Sequence, residues 1–383
     1  MTGGERLGGS LLQRSLRPGL RTAAALVPPA VVFIGVRLLF AGAAYRVWFD
    51  PWNPLSWKRW DSGHYLVIAT NGWEFFSCAA IGGRPEEWCG NAAWFPLYPW
   101  LLRPLIALGV QPATAGVWVS GTAALAMLVL LWNGLLRERG LKGFVLLAMA
   151  GVFPGAVYAH AIFPTGVAQL CLIAAGVALA RGRWPLCGLA GGFLSMSYVT
   201  GVLQSGPGAI SAWLRARSIR PALVVGGLSA AGFGAVLLAQ QLLLGHWDAW
   251  LRTYQKGLPG LWHPLAGYWD VIDKVVTADI QRRTIGIQAL TVMGLVVLGL
   301  VTSVVTRSWR DPLRAWAAMT ALLYWGFPLI AGRGLSLYRA DALVLPVLLL
   351  LPELPVWVLV PLLAWLVAIA FSMGQLFFNG YLV

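Results

Sequence analysis

Residues 59–65 read Arg59-Trp60-Asp61-Ser62-Gly63-His64-Tyr65, placing an acid, an imidazole and a phenol within five positions. A carboxylate so placed can take the proton from a hydroxyl as that hydroxyl attacks, and general-base help of this kind is worth about 10²- to 10⁴-fold. The same carboxylate has a plainer use, capping the helix that begins after it through the amides of Gly63 or His64. His64 lies three residues on, on the same helical face. It orients Asp61, holds a phosphate, or serves as an interfacial structural histidine. Asp61 and His64 would also supply two ligands to a divalent ion, too few to define a metal centre. Tyr65, and Tyr98 further along, read as wall residues rather than acids.

What positions these groups is a membrane domain. The chain is 58% hydrophobic and 11% charged over 383 residues, against about 25% charged in a soluble domain. No polar stretch is long enough to fold separately, so residues 1–383 read as one integral-membrane domain. The net charge of +14 comes as short clusters between apolar runs: Arg14, Arg17 and Arg21; Arg137, Arg139 and Lys142; Arg181 and Arg183; Arg215, Arg217 and Arg220; Arg307, Arg310 and Arg314. Basic residues beside helix ends stay cytoplasmic, so the partners of this charge are anionic lipid headgroups rather than nucleic acid. The basic N-terminus is followed by an apolar stretch without a small-residue cleavage site, which reads as a retained first helix.

A helix needs about 20 apolar residues to cross the hydrocarbon core. Starting inside, spans are expected near 24–44, 113–135, 143–160, 164–181, 185–203, 203–215, 221–244, 285–306, 314–331, 341–354 and 355–378. The expected fold is therefore an all-α, polytopic bundle of about 11 transmembrane helices. Segments 45–112, 245–284 and 332–340 then face outside. They carry most of the 14 carboxylates, with Asp341 at the rim, and the four histidines fall on that face too. A transporter would place such groups at mid-depth along a path. The outer loops also hold Trp48, Trp52, Trp57, Trp60, Trp73, Trp88, Trp94, Trp100, Trp247, Trp250, Trp262 and Trp269. Tryptophan prefers the headgroup zone, so amphipathic helices lying on the bilayer are expected in the first long loop. Cys78 and Cys89 share that loop, where a disulfide can form. Cys171 and Cys187 read as packing residues.

At Asp61 the chain resembles the PIG-V family of mannosyltransferases, whose eukaryotic members add a mannose during GPI-anchor synthesis and which belong to the multispanning GT-C class. The resemblance rests on residues 59–65, on Trp94-Phe95-Pro96-Leu97-Tyr98-Pro99, and on Gly245-His246-Trp247-Asp248-Ala249-Trp250 leading to Tyr254-Gln255. It continues with Gly260-Leu261-Trp262 and ends with Ser336-Leu337-Tyr338-Arg339, with Pro346 downstream. It implies a GT-C-like bundle, a polyprenyl-phosphate sugar as donor, and Asp61 as the catalytic base. Substrate contacts are expected from Arg59, His64, Tyr65, Tyr98, Gln255, Lys256, Trp262, His263 and Arg339, and no metal is expected. The chemistry is consistent with one carboxylate. The anomeric carbon already bears a phosphate leaving group, so a single base and a single attack invert the configuration, whereas glycoside hydrolysis needs two carboxyls. A cation must balance the departing phosphate. Arg339 is the first choice, followed by Lys256, His263 and Arg333; a snorkelling interfacial arginine is the alternative reading of Arg339.

Three departures stand out. Relatives usually carry a Ser and a Glu where this chain has Phe163-Pro164-Thr165-Gly166-Val167-Ala168-Gln169. They tend to have Arg-Pro where it has Tyr198-Val199-Thr200-Gly201, and to place Arg before Tyr where Tyr338 precedes Arg339. These changes put a GPI intermediate in doubt as acceptor. Compact loops and a high Gly and Ala content have a bacterial look, hence a plasma membrane with the site facing outside, or the equivalent ER-lumenal arrangement. The expectation is an inverting hexosyltransferase, mannose foremost, acting on a lipid- or glycan-borne hydroxyl at the non-cytoplasmic face. Its rivals are a lipid or glycolipid transporter, whose path would need Gln169, Gln204, Gln240, Gln241 and Gln288, and a catalytically degenerate membrane scaffold.

Overall fold

The computed structural model describes residues 18–255, 266–277, 279–331 and 337–382. The chain runs through α1 (Pro18–Arg46), a 3-10 turn (Pro54–Trp57), α2 (Ser62–Thr70), a hairpin of β1 (Phe75–Ser77) and β2 (Trp88–Gly90), α3 (Leu97–Ala107) and α4 (Pro112–Leu130). It continues through α5 (Gly140–Gly151), α6 (Ala156–His160), α7 (Thr165–Ala180), α8 (Trp184–Ser197), α9 (Ser205–Ala216) and α10 (Ile219–Leu244). Last come α11 (Ala249–Gln255), α12 (Ala266–Val276), α13 (Ile280–Val305), α14 (Pro312–Ala331), α15 (Leu337–Ala340) and α16 (Val356–Phe378), with a 3-10 helix at Asp341–Leu350 before α16.

The protein is all-α apart from that hairpin among the described residues, and it has the helices of a membrane protein. Among the described residues, five stretches are long and apolar enough to cross a bilayer: Ala25–Arg46, Pro112–Leu135, Ile219–Leu244, Ile280–Val305 and Val356–Phe378. At 1.5 Å per residue, the 23 residues of α16 cover about 35 Å, against about 30 Å of hydrocarbon.

Several expected spans take another form. The stretch 143–160 breaks at Pro154-Gly155, where Gly155 turns with φ 84°, leaving the 12-residue α5 and the 5-residue α6. The 185–215 region is two helices of 14 and 12 residues joined by a 3-10 turn at Val199–Gln204. Segment 341–354 is 3-10 over Asp341–Leu350, and all ten of those residues are buried. At about 2.0 Å per residue a 3-10 helix climbs faster than an α-helix, so this short piece reaches about 20 Å through the middle of the core.

The two ends of the bundle differ. At one end the loops fold over the helix termini. Arg59 donates from Nε to Phe377 O (3.3 Å) and from Nη2 to Phe378 O (2.8 Å) at the end of α16, and Ile162 N donates to Trp57 O. At the other end Arg137 pairs with Asp311 (3.2 Å) and Arg314 with Glu353 (2.6 Å), clipping the far ends of α4, α14 and α16.

The first loop is more structured than expected. Its α2 is no surface helix: apolar on nearly every side, it lies half or fully buried up to the exposed Thr70. Only α3 shows the amphipathic split, burying Tyr98, Pro99 and Leu102 while Trp100 and Leu101 stay exposed. Between them β1 and β2 pair antiparallel, with Phe76 opposite Cys89, and Cys78 and Cys89 form a disulfide. The loop tryptophans divide: Trp48, Trp52, Trp60, Trp247 and Trp269 are exposed, as headgroup anchors would be, whereas Trp57 is buried with Nε1 donating to Pro51 O.

Candidate active site

Trp60 holds φ 45°, a left-handed backbone that bulky residues rarely adopt, and the chain turns there into α2. Asp61 occupies the N-cap position, yet its carboxylate makes no hydrogen bond to the helix amides. The local closure comes from Ser62, whose Oγ accepts from Arg59 N at 3.1 Å while Ser62 N donates to Arg59 O at 2.9 Å. The carboxylate is thereby left for a long-range partner: Arg339 Nη1 donates to Asp61 Oδ2 in a direct ion pair. The Arg339 side chain is 20% exposed and that of Asp61 27%, so the pair is sheltered but reachable.

Arg339 sits on the short α15, and its guanidinium lies near three rings: Phe163 at 5.7 Å, Tyr158 at 5.9 Å and Tyr338 at 5.9 Å. Burial works to lower the arginine pKa, but the charge of Asp61 and the two phenols outweigh it and hold the pKa above the ordinary value. The segment carrying it is pinned from behind. Gln288 Nε2 donates to Tyr338 O (3.1 Å) and to Asp341 Oδ2 (3.0 Å), and Gln169 Nε2 donates to Ala342 O (2.9 Å). All three of these side chains are buried. They hold in place the segment that carries Arg339.

Tyr65 stands one turn beyond Asp61, buried edge-on against Tyr98 (5.7 Å between centroids) and Phe163 (6.0 Å). Desolvation first, then the nearby Tyr198 and Asp61, push its pKa up, so it stays a phenol. Tyr98 donates to Gly116 O or shares its proton with Ser120 Oγ (2.9 and 3.0 Å) and is fully buried, so its hydroxyl is committed within the fold. His64 stacks on Trp94 with centroids 3.7 Å apart. Burial lowers its pKa, against the opposing pull of Asp61 and Glu74, so the ring is neutral at pH 7. Residues 59–65 and 94–99 are thus packed on each other, although about 30 positions separate them in sequence. Tyr198, hydrogen-bonded to Thr165 at 2.8 Å, and the exposed Tyr254 both lie close enough to feel the charges of Asp61 and Arg339.

Other expected site residues stand apart. The guanidinium of Arg59 is engaged by the carbonyls of α16 and lies over Phe49 (4.7 Å), so it anchors a helix end. The side chain of Gln255, with Lys256, Trp262, His263 and Arg333, falls outside the described residues. Among the described residues, no set of three His, Cys, Asp or Glu side chains gathers as metal ligands would. The outer-loop acids Asp248 and Asp270 pair one helical turn away with Arg252 and Lys274, and Asp279 caps α13.

The place of Tyr158, Phe163, Thr165, Tyr198 and Gln288 around the site has no spacing signal: Phe163, Thr165 and Tyr198 enter the sequence reading only within departures from the family pattern, and Gln288 only as a polar residue in an apolar run. Tyr254 was visible only as part of a motif, and an acid such as Asp341 opening an apolar run was a stronger hint. No protein-family model and no curated protein matches the chain. Chemically, the site offers one carboxylate for a proton, one guanidinium for an anion and a wall of neutral phenols.

Proposed function

We propose that the chain is an integral-membrane inverting glycosyltransferase of the GT-C kind, similar to the PIG-V family, using a polyprenyl-phosphate hexose, mannose foremost. The observation that carries this reading is the contact between Asp61 and Arg339. A base for the acceptor and a cation for the leaving group adjoin in one sheltered place. The acceptor hydroxyl gives its proton to Asp61 and its oxygen bonds to the anomeric carbon. The bond from that carbon to the phosphate oxygen breaks, and the lipid phosphate leaves against Arg339 with inverted configuration at the sugar. A phosphate competing for Arg339 also releases Asp61 from its partner, making the carboxylate available when the donor arrives. An apolar cavity of about 70 Å³, lined in part by Leu337, Trp325 and Met293, adjoins the helix that bears Arg339. It suits the first part of an isoprenoid tail.

The same proposal takes α5 with α6, α7, α8, α9, α14 and the buried 3-10 segment as further crossings, for about 11 in all, with the site on the non-cytoplasmic face of a bacterial plasma membrane or its ER-lumenal equivalent. Two features support the orientation. A disulfide at the loop end suits an oxidising compartment, and the arginine clusters at the opposite end suit the cytoplasm. Each of Gln169, Gln204, Gln240, Gln241 and Gln288 is tied into a hydrogen bond within the fold, which favours the transferase reading over transport.

The test is to incubate purified protein with a panel of polyprenyl-phosphate hexoses and membrane lipid extract, following added hexose by mass spectrometry. Asp61→Asn should lower turnover by about 10²- to 10⁴-fold while retaining donor binding. Near-normal turnover by that variant removes Asp61 as the base. Movement of donor across liposomes without a new glycosidic bond makes the protein a transporter.

A further inference from the structure

We propose that the turn joining α9 to α10 is a binding site for a single anionic phospholipid. One acyl chain would lie in an apolar groove between the helices, and the phosphate headgroup would meet Arg215, Arg217 and Arg220. This site is separate from the one at Asp61 and stands whether or not the transferase reading does.

The groove has a volume of about 490 Å³ and runs between Ile210 and Trp213 of α9 and Ile219, Leu223, Gly226 and Gly227 of α10. The α10 positions recur four, seven and eight residues after Ile219, so they form one stripe along the helix. Glycines make its floor and large apolar side chains its walls. Ile210, Trp213, Ile219 and Leu223 are all exposed. From Arg220 to Gly227 the stripe descends about 10 Å, long enough for a run of methylenes below a headgroup. A channel of this shape holds one chain in register, whereas a convex helix surface would only touch passing lipid.

The charges in and beside the turn that joins the two lining helices are uncompensated. Arg215, Arg217 and Arg220 are exposed, and none has an ion pair or side-chain hydrogen bond among the described residues. Elsewhere at this end Arg137 has Asp311 and Arg314 has Glu353. No such partner is near in sequence, since the chain contains no Asp or Glu between Glu138 and Asp248. The backbone adds an independent observation. Arg217 is the C-cap of α9 with φ 53° and ψ 30°, the left-handed conformation that glycine adopts freely. An arginine holds that conformation at a steric cost, four residues after Trp213 and two before Ile219, both of which line the groove. Three like charges disfavour a second copy of the same face and favour an anionic headgroup.

The test uses the full chain, delipidated in mild detergent and titrated with phosphatidylglycerol or phosphatidylcholine under native mass spectrometry. Wild type should bind one phosphatidylglycerol at least about tenfold more tightly than phosphatidylcholine. The triple change Arg215→Gln, Arg217→Gln, Arg220→Gln should erase that preference and leave phosphatidylcholine binding as it was. A Cβ at Gly227 meets nothing within 4 Å. Gly227→Leu therefore fills the groove without moving backbone and should lose about tenfold in affinity for both lipids. Arg217→Gly relaxes the strained turn and keeps the fold, so a weakened preference in that variant reports charge alone. Equal affinity of wild type for the two lipids overturns the proposal, as does unchanged binding by Gly227→Leu. A shift from dimer to monomer in Gly227→Leu also overturns it, because a second copy would then be the occupant.

Discussion

Asp61–Arg339 and Arg314–Glu353 are the same chemical pair at opposite ends of the bundle, and their surroundings give them different work. Both join distant parts of the chain, residues 61 to 339 and 314 to 353. The second is open on its acidic side, with Glu353 40% exposed. It clips two helix ends where water reaches the carboxylate. The first has the rings of Tyr158, Phe163 and Tyr338 about its guanidinium. Water cannot readily solvate one member if the other is removed. A pair of that kind holds a charge in readiness for a competing ion, and a surface pair does not.

The largest expected effect comes from stranding one charge at the sheltered end. Breaking a buried pair from one side costs about 3–5 kcal/mol. Because both side chains keep about a quarter of their exposure, Arg339→Gln should destabilise by about 3 kcal/mol. Combining it with Asp61→Asn removes the orphaned carboxylate, so the double variant should recover at least about 1 kcal/mol over Arg339→Gln alone. Denaturant or thermal unfolding in detergent measures both. Equal stability of Arg339→Gln and wild type would mean that the rings do not isolate the pair, and the contrast between the two ends would collapse.

Next in size is the disulfide, a feature of the loop end alone. Cys78 and Cys89 are 11 residues apart, and closing a loop of that length is worth about 2–3 kcal/mol. The double change Cys78→Ser, Cys89→Ser, or a reductant applied to wild type, should lower the unfolding midpoint accordingly. The loss should first loosen the contacts that lean on the hairpin: His246 against Phe75 and Trp88, and Arg252 over Trp88. Amide exchange in β1, β2 and α11 would rise while α14 stays as protected as before. Uniform loosening of both ends would contradict the separation drawn here.

These regions also differ in how far sequence alone could describe them. The all-helical membrane class followed from hydropathy, and most of the long helices lie close to where the apolar runs place them. Scarce carboxylates made Asp61 conspicuous, and Arg339 stood out as a cation at an apolar boundary. The ring set around them did not, because Tyr158, Phe163 and Tyr198 come from three separate apolar stretches that only tertiary packing unites. Arg59 lies two residues from Asp61 in sequence, yet its guanidinium is taken by the bare carbonyls of a helix end. Hydropathy averaging hid the break at Pro154-Gly155, although that dipeptide marks a turn. It could not distinguish the 3-10 run at Asp341–Leu350 from an α-helix, since both bury the same apolar side chains.

The smallest expected effect sharpens the comparison most cleanly. Glu353→Gln leaves Arg314, whose side chain is 20% exposed, with a neutral amide able to accept one hydrogen bond at the same place. Exposed pairs contribute about 0–1 kcal/mol, and the exposure of Glu353 puts this one in that class despite its 2.6 Å contact. The expected change is therefore below about 1 kcal/mol, and raising salt should diminish even that, because screening acts on charges that water reaches. The same salt series on Arg339→Gln should barely move its deficit. If both variants respond to salt alike, the two pairs share one dielectric environment, and the aromatic surroundings of Arg339 are not what sets the Asp61 site apart.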